Sequence, residues 1–391
     1  MWITNGKPKR RVNQPSLYLA ICLLYLAIQV VADNDKRDLT IPTSRVRARA
    51  IGIQIGIYQP GTYNAITDVV GVKVGHITLN EGDSIRTGVT AIIPRDNIWK
   101  NRLFGASYAI HGNGETTGMA RINQAGWIES PIMLTNTLSV GAVHDGVVRH
   151  TIKHYPDDHV ILPIVAECYD GGLNDISGLH VTAEHTIQAI ESARSGWVAE
   201  GCVGGGTGMR CYGFKAGIGT SSRILPEKQG GYTVGVLVNS NGGRRHQLKI
   251  DGAPVGREMT DSKIQSYRDG SFIIVVATDA PMVHRQLMQL AQRATHGIAR
   301  TGTPSTVSSG EFVIAFSTAN TIPLRPKNGT FSINILADYQ LDGLYQAVVE
   351  TTEEAIINSM TTAVTTTGRK GRIIKAIPLD HLQTIMKKYG R

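Results

Sequence analysis

With 391 residues, 41% of them hydrophobic, the chain can bury a full-sized core, as one large domain or two small ones. Its 43 glycines and sparse aromatics (6%) suit a loop-rich α/β protein rather than a coiled coil or a disordered chain. The net charge of +9 is scattered over pairs such as Arg244-Arg245, Arg369-Lys370 and Lys387-Lys388, and no basic tract is interleaved with aromatics, so nucleic acid is not an expected partner.

The first element is a leader. Lys7, Lys9, Arg10 and Arg11 form a basic n-region, and Ser16 to Val31 is nearly unbroken apolar sequence without charge. Val30-Val31-Ala32 then offers a small-residue cleavage site ahead of Asp33-Asn34-Asp35. That order predicts a signal peptide over residues 1–32 and an exported protein, periplasmic or secreted, with no stable membrane contact after its removal. A lipoprotein signal at Cys22 is disfavoured by the bulky Ile21, whereas an uncleaved anchor is the alternative, since the stretch is marginally long enough to span. Removal of the leader takes away four positive charges, leaving +5, and leaves Cys168, Cys202 and Cys211. Export permits a Cys202–Cys211 pair, but so low and odd a count excludes a disulfide scaffold and points to a free buried thiol.

Residues 33–60 are polar and weakly patterned, and read as a mobile lead-in to a single domain over 61–391. Strands are predicted at Val69–Val74, Val89–Ile93, Ile132–Leu134, Val160–Ala166, Thr233–Val238, Phe272–Ala277 and Phe312–Ser317, from apolar, β-branched runs. Helices are predicted at Val143–His154, Val181–Arg194, His284–Arg300 and Leu344–Thr362. In the third of these, Leu287, Leu290, Ala291, Ala294 and Ile298 make an apolar stripe that would pack on a sheet. The alternation gives a layered α/β body, with 196–230 glycine-rich and loop-like.

Two glycine-rich motifs fall short of a nucleotide site. Gly204-Gly205-Gly206-Thr207-Gly208 lacks the Lys-Ser/Thr ending of a P-loop, and Gly112-Asn113-Gly114 fails the dinucleotide spacing. Both suit close backbone approach. His150 and His154 share one helix face, with His159 close by in sequence. Thr151 stands where a metalloprotease has its glutamate, and no matching carboxylate ligand set accompanies them, so no metal is expected and a zinc site stands only as the lesser alternative.

The run from Arg268 to Asp279 places Gly270-Ser271 directly ahead of a buried strand. If that bond were cut, Ser271 would carry a hydroxyl nucleophile and a free α-amine whose ordinary pKa is about 8, able to act as its own general base. Other polar residues flank predicted strands, where α/β enzymes carry their chemistry. They are Glu167 and Tyr169, Asn239 and Asn241, and Ser309 and Glu311. Strand alternation sends Glu167 and Tyr169 to one side, and likewise Ser309 and Glu311. Taken singly, each is an ordinary loop hydrogen-bonder.

Taken in order, these segments resemble one family. The matching stretches are Asp68 to His76, Gly112 to Glu115, Thr135 to Thr137, Ala166 to Gly171, Gly205 to Met209, Gly235 to Val238 through Asn241, Asp269 to Ser271, and Ser309 to Glu311. They resemble the L-aminopeptidase/D-esterase/amidase enzymes and the related β-peptidyl aminopeptidases, self-processing serine hydrolases. The resemblance implies a four-layer α/β/β/α sandwich cleaved between Gly270 and Ser271 into two chains that stay together. It makes Ser271 the nucleophile, aided by its own amine, Ser309 and Glu311, with Asn241 the oxyanion donor (Asn239 standing as its rival) and Tyr169 beside the reacting centre. Glu167 would hold the free ammonium of a short peptide, amide or ester substrate. No cofactor is implied, and a homo-oligomer of processed units is. Two other readings are open: an acyltransferase of the ornithine acetyltransferase type, which normally uses threonine as nucleophile, and a secreted non-enzymatic binder on the same scaffold.

Overall fold

Apolar runs that alternate between two buried faces build two sheets. The strands are β1 (Lys73–Glu81), β2 (Ile85–Ile93), β3 (Asn101–Gly112), β4 (Ile132–Asn136), β5 (Ile164–Cys168), β6 (Ile218–Ile224), β7 (Thr233–Ser240), β8 (Phe272–Thr278) and β9 (Gly310–Ser317). The first sheet has the order β1-β2-β4-β5, and the second runs β3-β9-β8-β7-β6 with short flanking pairs on β3. The helices that cover them are α1 (Val140–His154), α2 (Ala183–Glu191), α3 (His284–Thr301), α4 (Asp342–Thr361) and α5 (Leu379–Lys388).

These coordinates come from a computed structural model that describes residues 1–2, 45–155, 162–259 and 270–391. The rest of the leader, from residue 3, and the lead-in up to residue 44 lie outside the described residues. Among those described, no helix is long and apolar enough to cross a membrane.

Three hydrophobic clusters define the layers. Outside the first sheet, Val89, Ala91, Met133 and Val165 pack on Val143 and Val147 of α1 and Ala189 of α2. Between the sheets, Ile92, Leu134 and Ala166 meet Leu237, Ile273, Val275 and Ile314. Beyond the second sheet, Val236, Ile274, Val276 and Val313 pack on Leu287, Leu290 and Ala294 of α3 and on Val348 and Ile356 of α4. The result is the expected α/β/β/α sandwich. It explains why β8 is apolar at every position: both of its faces are buried.

The glycines at 204–208 wedge between the sheets. A Cβ at Gly205 would approach the Leu134 carbonyl at 2.8 Å, and those at Gly204 and Gly206 would collide with Thr90 of the first sheet and Ile218 of the second. Close approach, not anion binding, accounts for them.

Several segments differ from expectation. The strand expected at Val69–Val74 begins at Lys73 and runs to Glu81. Strand β3 and helix α5 were not anticipated, and β6 falls inside the stretch read as loop. From Arg45 onward the supposed lead-in is fixed. Ile53 and Ile55 are buried, Arg47 pairs with Glu200, and Arg49 Nε donates to Glu354 Oε1 at 2.9 Å. All three described cysteines are free thiols. Cys202 sits against the Val364 carbonyl rather than bonded to Cys211.

Candidate active site

Sheet topology brings three strand ends to one place. Strand β8 starts at Phe272, lies parallel to β9 on one side and antiparallel to β7 on the other. The start of β8, the start of β9 and the end of β7 therefore converge at the same edge of the second sheet. Phe272 is in register with Glu311 of β9 and with Ser240 of β7. Ser271 and Asn241 extend that ladder by one residue: Asn241 N donates to Ser271 O at 2.9 Å.

Ser271 is buried, and its neighbours are shaped around it. A Cβ at Gly310 would lie 3.2 Å from Ser271 Oγ, so the absence of a side chain there leaves the hydroxyl its room. A Cβ at Gly270 would collide with the Asn241 carbonyl, so the residue before Ser271 is held against the strand end that carries Asn241. Behind them, the Cys168 thiol points at the carbonyls of Ser271 and Asn239, each at 3.7 Å. Burial pushes that thiol well above the ordinary cysteine range, with Glu167 adding to the shift. It is a packing group, not a nucleophile.

The Asn241 side chain is fixed at both ends. Its Nδ2 donates to Tyr169 O at 2.8 Å, and its Oδ1 accepts from the Arg210 backbone N–H at 3.2 Å. One Nδ2 hydrogen remains beyond the bond to Tyr169. Asn239 lies two residues back on β7, paired with Ile273, and its Nδ2 donates to Gly205 O at 3.2 Å within the inter-sheet wedge. Of the two asparagines, Asn241 is the one in contact with the Gly270–Ser271 junction.

Glu311 and Ser309 approach from the other side, both buried. The Ser309 hydroxyl donates to Thr306 O at 2.7 Å, which orients its lone pairs, while a register shift after Glu311 interrupts the β9–β3 ladder. Gly112 pairs with Gly310, and Asn113 Nδ2 donates to Ser308 O at 2.9 Å, so the Gly112–Glu115 segment braces this edge.

The same segment leads to Glu167 at the end of β5. The Glu115 backbone N–H donates to Glu167 Oε1 at 3.1 Å and the Thr137 hydroxyl donates to Oε2. A Cβ at Gly114 would lie 2.7 Å from that Oε1 and 3.2 Å from the Phe312 ring. Burial raises the Glu167 carboxyl, an effect the Thr137 and Glu115 donors oppose. Tyr169 joins the site through its carbonyl. Its phenol is exposed and rests over Gly171.

Asp170, which the sequence analysis assigned no role, is the next residue along. Burial raises its carboxyl to about 7 despite hydrogen bonds that favour the charged form. Asn174 Nδ2 donates to its Oδ1 at 3.0 Å. Gly114 belongs to the Gly112-Asn113-Gly114 run expected to permit close backbone approach, whereas Gly310 was given no such role. What a Cβ at either position would strike emerges only in the fold.

The arrangement is a buried serine at the head of a central strand, an oriented amide beside it, and a carboxylate one strand over. That arrangement sits on a sandwich of the kind found in the Ntn-hydrolase fold. Solved structures agree. The L-aminopeptidase D-Ala-esterase/amidase of Ochrobactrum anthropi, described as a prototype for the serine aminopeptidases and a variant of the Ntn-hydrolase fold, superposes with a TM-score of 0.83 at 41% identity, covering 88% of this chain and 99% of that one. The PH0078 protein of Pyrococcus horikoshii does so with a TM-score of 0.84 at 43% identity, over 88% of this chain and 100% of that one. In sequence, the β-peptidyl aminopeptidase BapA of Sphingosinicella microcystinivorans is 41% identical over 368 residues, 88% of this chain and 93% of that protein. The Peptidase family S58 model matches residues 64–374, and the chain belongs to that family: it is an aminopeptidase of Peptidase family S58.

Proposed function

We propose that the chain is an exported, self-processing serine aminopeptidase that releases N-terminal residues from short peptides, amides or esters bearing a free amine. The observation that carries this reading is the convergence of Gly270, Ser271, Asn241 and Glu311 at one sheet edge, with Asn241 N bonded to Ser271 O at 2.9 Å.

In maturation, Ser271 Oγ adds to the Gly270 carbonyl carbon and its proton passes to the departing Ser271 nitrogen. The ester that results between Gly270 and Ser271 Oγ is then hydrolysed by water. This leaves a carboxylate on Gly270 and a free amine on Ser271. In turnover, that amine takes the proton as Oγ attacks the substrate carbonyl and returns it to the leaving amine or alcohol; water, deprotonated by the same amine, then cleaves the acyl ester on Ser271, releasing the acid and restoring the hydroxyl. Ser309 and Glu311 assist the proton's path. The remaining Nδ2 hydrogen of Asn241 stabilises the oxyanion, a contribution of roughly 2.7–4 kcal/mol for a preorganised amide donor. Glu167 binds the substrate ammonium by a charge-assisted contact, which restricts the enzyme to unblocked N-termini. Tyr169 orients Asn241 through its carbonyl and presents its phenol at the rim. Processed units assemble as a homo-oligomer.

Intact mass under denaturing conditions tests the proposal, on protein purified after export and on Ser271→Ala. Two fragments, the smaller beginning at Ser271, beside an intact variant are the expected result. A single uncut chain in both samples overturns it.

A further inference from the structure

The helical pair His150 and His154 takes no part in the site above, and the structure supplies the ligand that their sequence neighbourhood lacked. Helix α2 packs against α1 and ends at Glu191, 37 residues after His154 in sequence. There Glu191 Oε1 lies 3.8 Å from His154 Nε2. One ligand atom from each of His150, His154 and Glu191 falls within 4.8 Å of the other two. The imidazoles sit one helical turn apart, with ring centroids 4.4 Å from each other.

We propose that His150, His154 and Glu191 form a zinc-class divalent metal site that cross-links the C-terminal ends of α1 and α2. Two imidazoles and one carboxylate are a donor set that suits a four-coordinate Zn²⁺, with water in the fourth position. With metal–ligand bonds of about 2.0–2.2 Å, tetrahedral donors stand roughly 3.4 Å apart. His150 is half-buried and His154 and Glu191 are exposed, which leaves those two side chains free to turn toward that spacing. His150 and Glu191 also line a cavity of about 320 Å³, with Trp99, Tyr155 and Arg194 among its walls, which leaves room for the bound water.

The surroundings set the competition. Lys153 Nζ stands 3.7 Å from Glu191 Oε1 and is the cation that a metal ion would displace. Arg194 lies nearby but donates to the carbonyls of Glu191 and Ala193, not to the carboxylate. Arg149 is paired with Asp145 on α1.

The test uses untagged, metal-free protein titrated with ZnCl₂ by calorimetry, beside His150→Gln, His154→Gln and Glu191→Gln. The expected result is one ion per chain and an affinity at least about tenfold weaker in every variant. Zinc should raise the thermal midpoint of the parent protein and not that of the variants. Cobalt(II) in place of zinc should give the visible bands of a four-coordinate ion. Absence of saturable binding at micromolar zinc, or binding that persists at parental strength in His154→Gln or Glu191→Gln, overturns the proposal. Peptide hydrolysis by metal-free protein is the control: it stays unchanged in all three variants, because they lie on the helices covering the outer face of the first sheet, whereas Ser271 heads a strand of the second.

Discussion

Asn241 N donates to Ser271 O at 2.9 Å, so the strand that supplies the amide donor is tied by its backbone to the residue it serves. The tie fixes Gly270 too, because a Cβ there would run into the Asn241 carbonyl. Substitution of Gly270 by alanine must push these strand ends apart. Gly270→Ala is expected to remain uncut or to process at least tenfold more slowly, with a cost in stability of about 1–3 kcal/mol for overpacking. Intact mass over a time course, read with a thermal midpoint, checks both effects.

Asn239 in β7 and Asn241 just past its end separate by what their side chains touch. Asn241→Ala removes the oriented amide and should lower kcat by about 10²–10³ with little change in KM. Asn239→Ala instead deletes the bond to Gly205 O in the inter-sheet wedge. It should leave kcat within a few-fold and cost roughly 1–2 kcal/mol in stability. Steady-state kinetics on both variants decides between them, and a larger kcat loss in Asn239→Ala would reverse the assignment.

How much of this was legible in the sequence depended on whether a residue's partner was local. Strands β8 and β9 were visible because burial on both faces writes an unbroken apolar run. Strand β6 was not: its Ser221 and Arg223 are fully buried but polar. Arg223 Nη2 bonds Glu354 of α4 at 2.6 Å and Ser221 Oγ bonds Thr351 O at 2.7 Å, partners about 130 residues away. The arginines at 45–49 read as a mobile stretch for the same reason: Glu200 meets Arg47, Glu354 meets Arg49, and the carbonyls of Met360 and Ile377 meet Arg45 only in the fold. Strand β3 was hidden by its mixed apolar, glycine and polar sequence. The order of motifs marked the candidate site residues, whereas the contacts of the glycines around them and the raised Asp170 carboxyl emerged only from packing.

Glu167 accepts from the Glu115 N–H at one oxygen and from the Thr137 hydroxyl at the other; in a glutamine the amide oxygen keeps the first bond, and the amide N–H donates to the hydroxyl, which can turn to accept. Glu167→Gln should therefore fold normally while losing its charge. Charged hydrogen bonds contribute about 1.5–3 kcal/mol, so KM for free-amine substrates should rise roughly 10–150-fold. The residual rate on N-blocked amides should not change. The raised Glu167 carboxyl adds a pH signature. As pH falls, protonation of the parent enzyme should mimic the variant, giving kcat/KM an acid limb that Glu167→Gln lacks. Equal losses on free and blocked substrates would show that Glu167 does not bind the ammonium.

Asp170 offers a stability prediction whose sign is fixed. Its carboxyl sits at about 7 in the fold, raised by burial, against about 3.9 in an unfolded chain. Between those values the folded state binds the extra proton, so stability falls as pH rises through this window, by up to about 1.4 kcal/mol per pH unit. Glu353, raised to about 7 by burial despite the opposing pull of Arg300, acts in the same direction. Denaturant unfolding of uncut Ser271→Ala at pH 5 and pH 8 should thus show lower stability at pH 8. Asp170→Asn in that background keeps an acceptor for Asn174 and should flatten the slope by one group's share. A slope unchanged by Asp170→Asn would show that this carboxyl is ionised throughout, and that the buried pocket stabilises its charge after all.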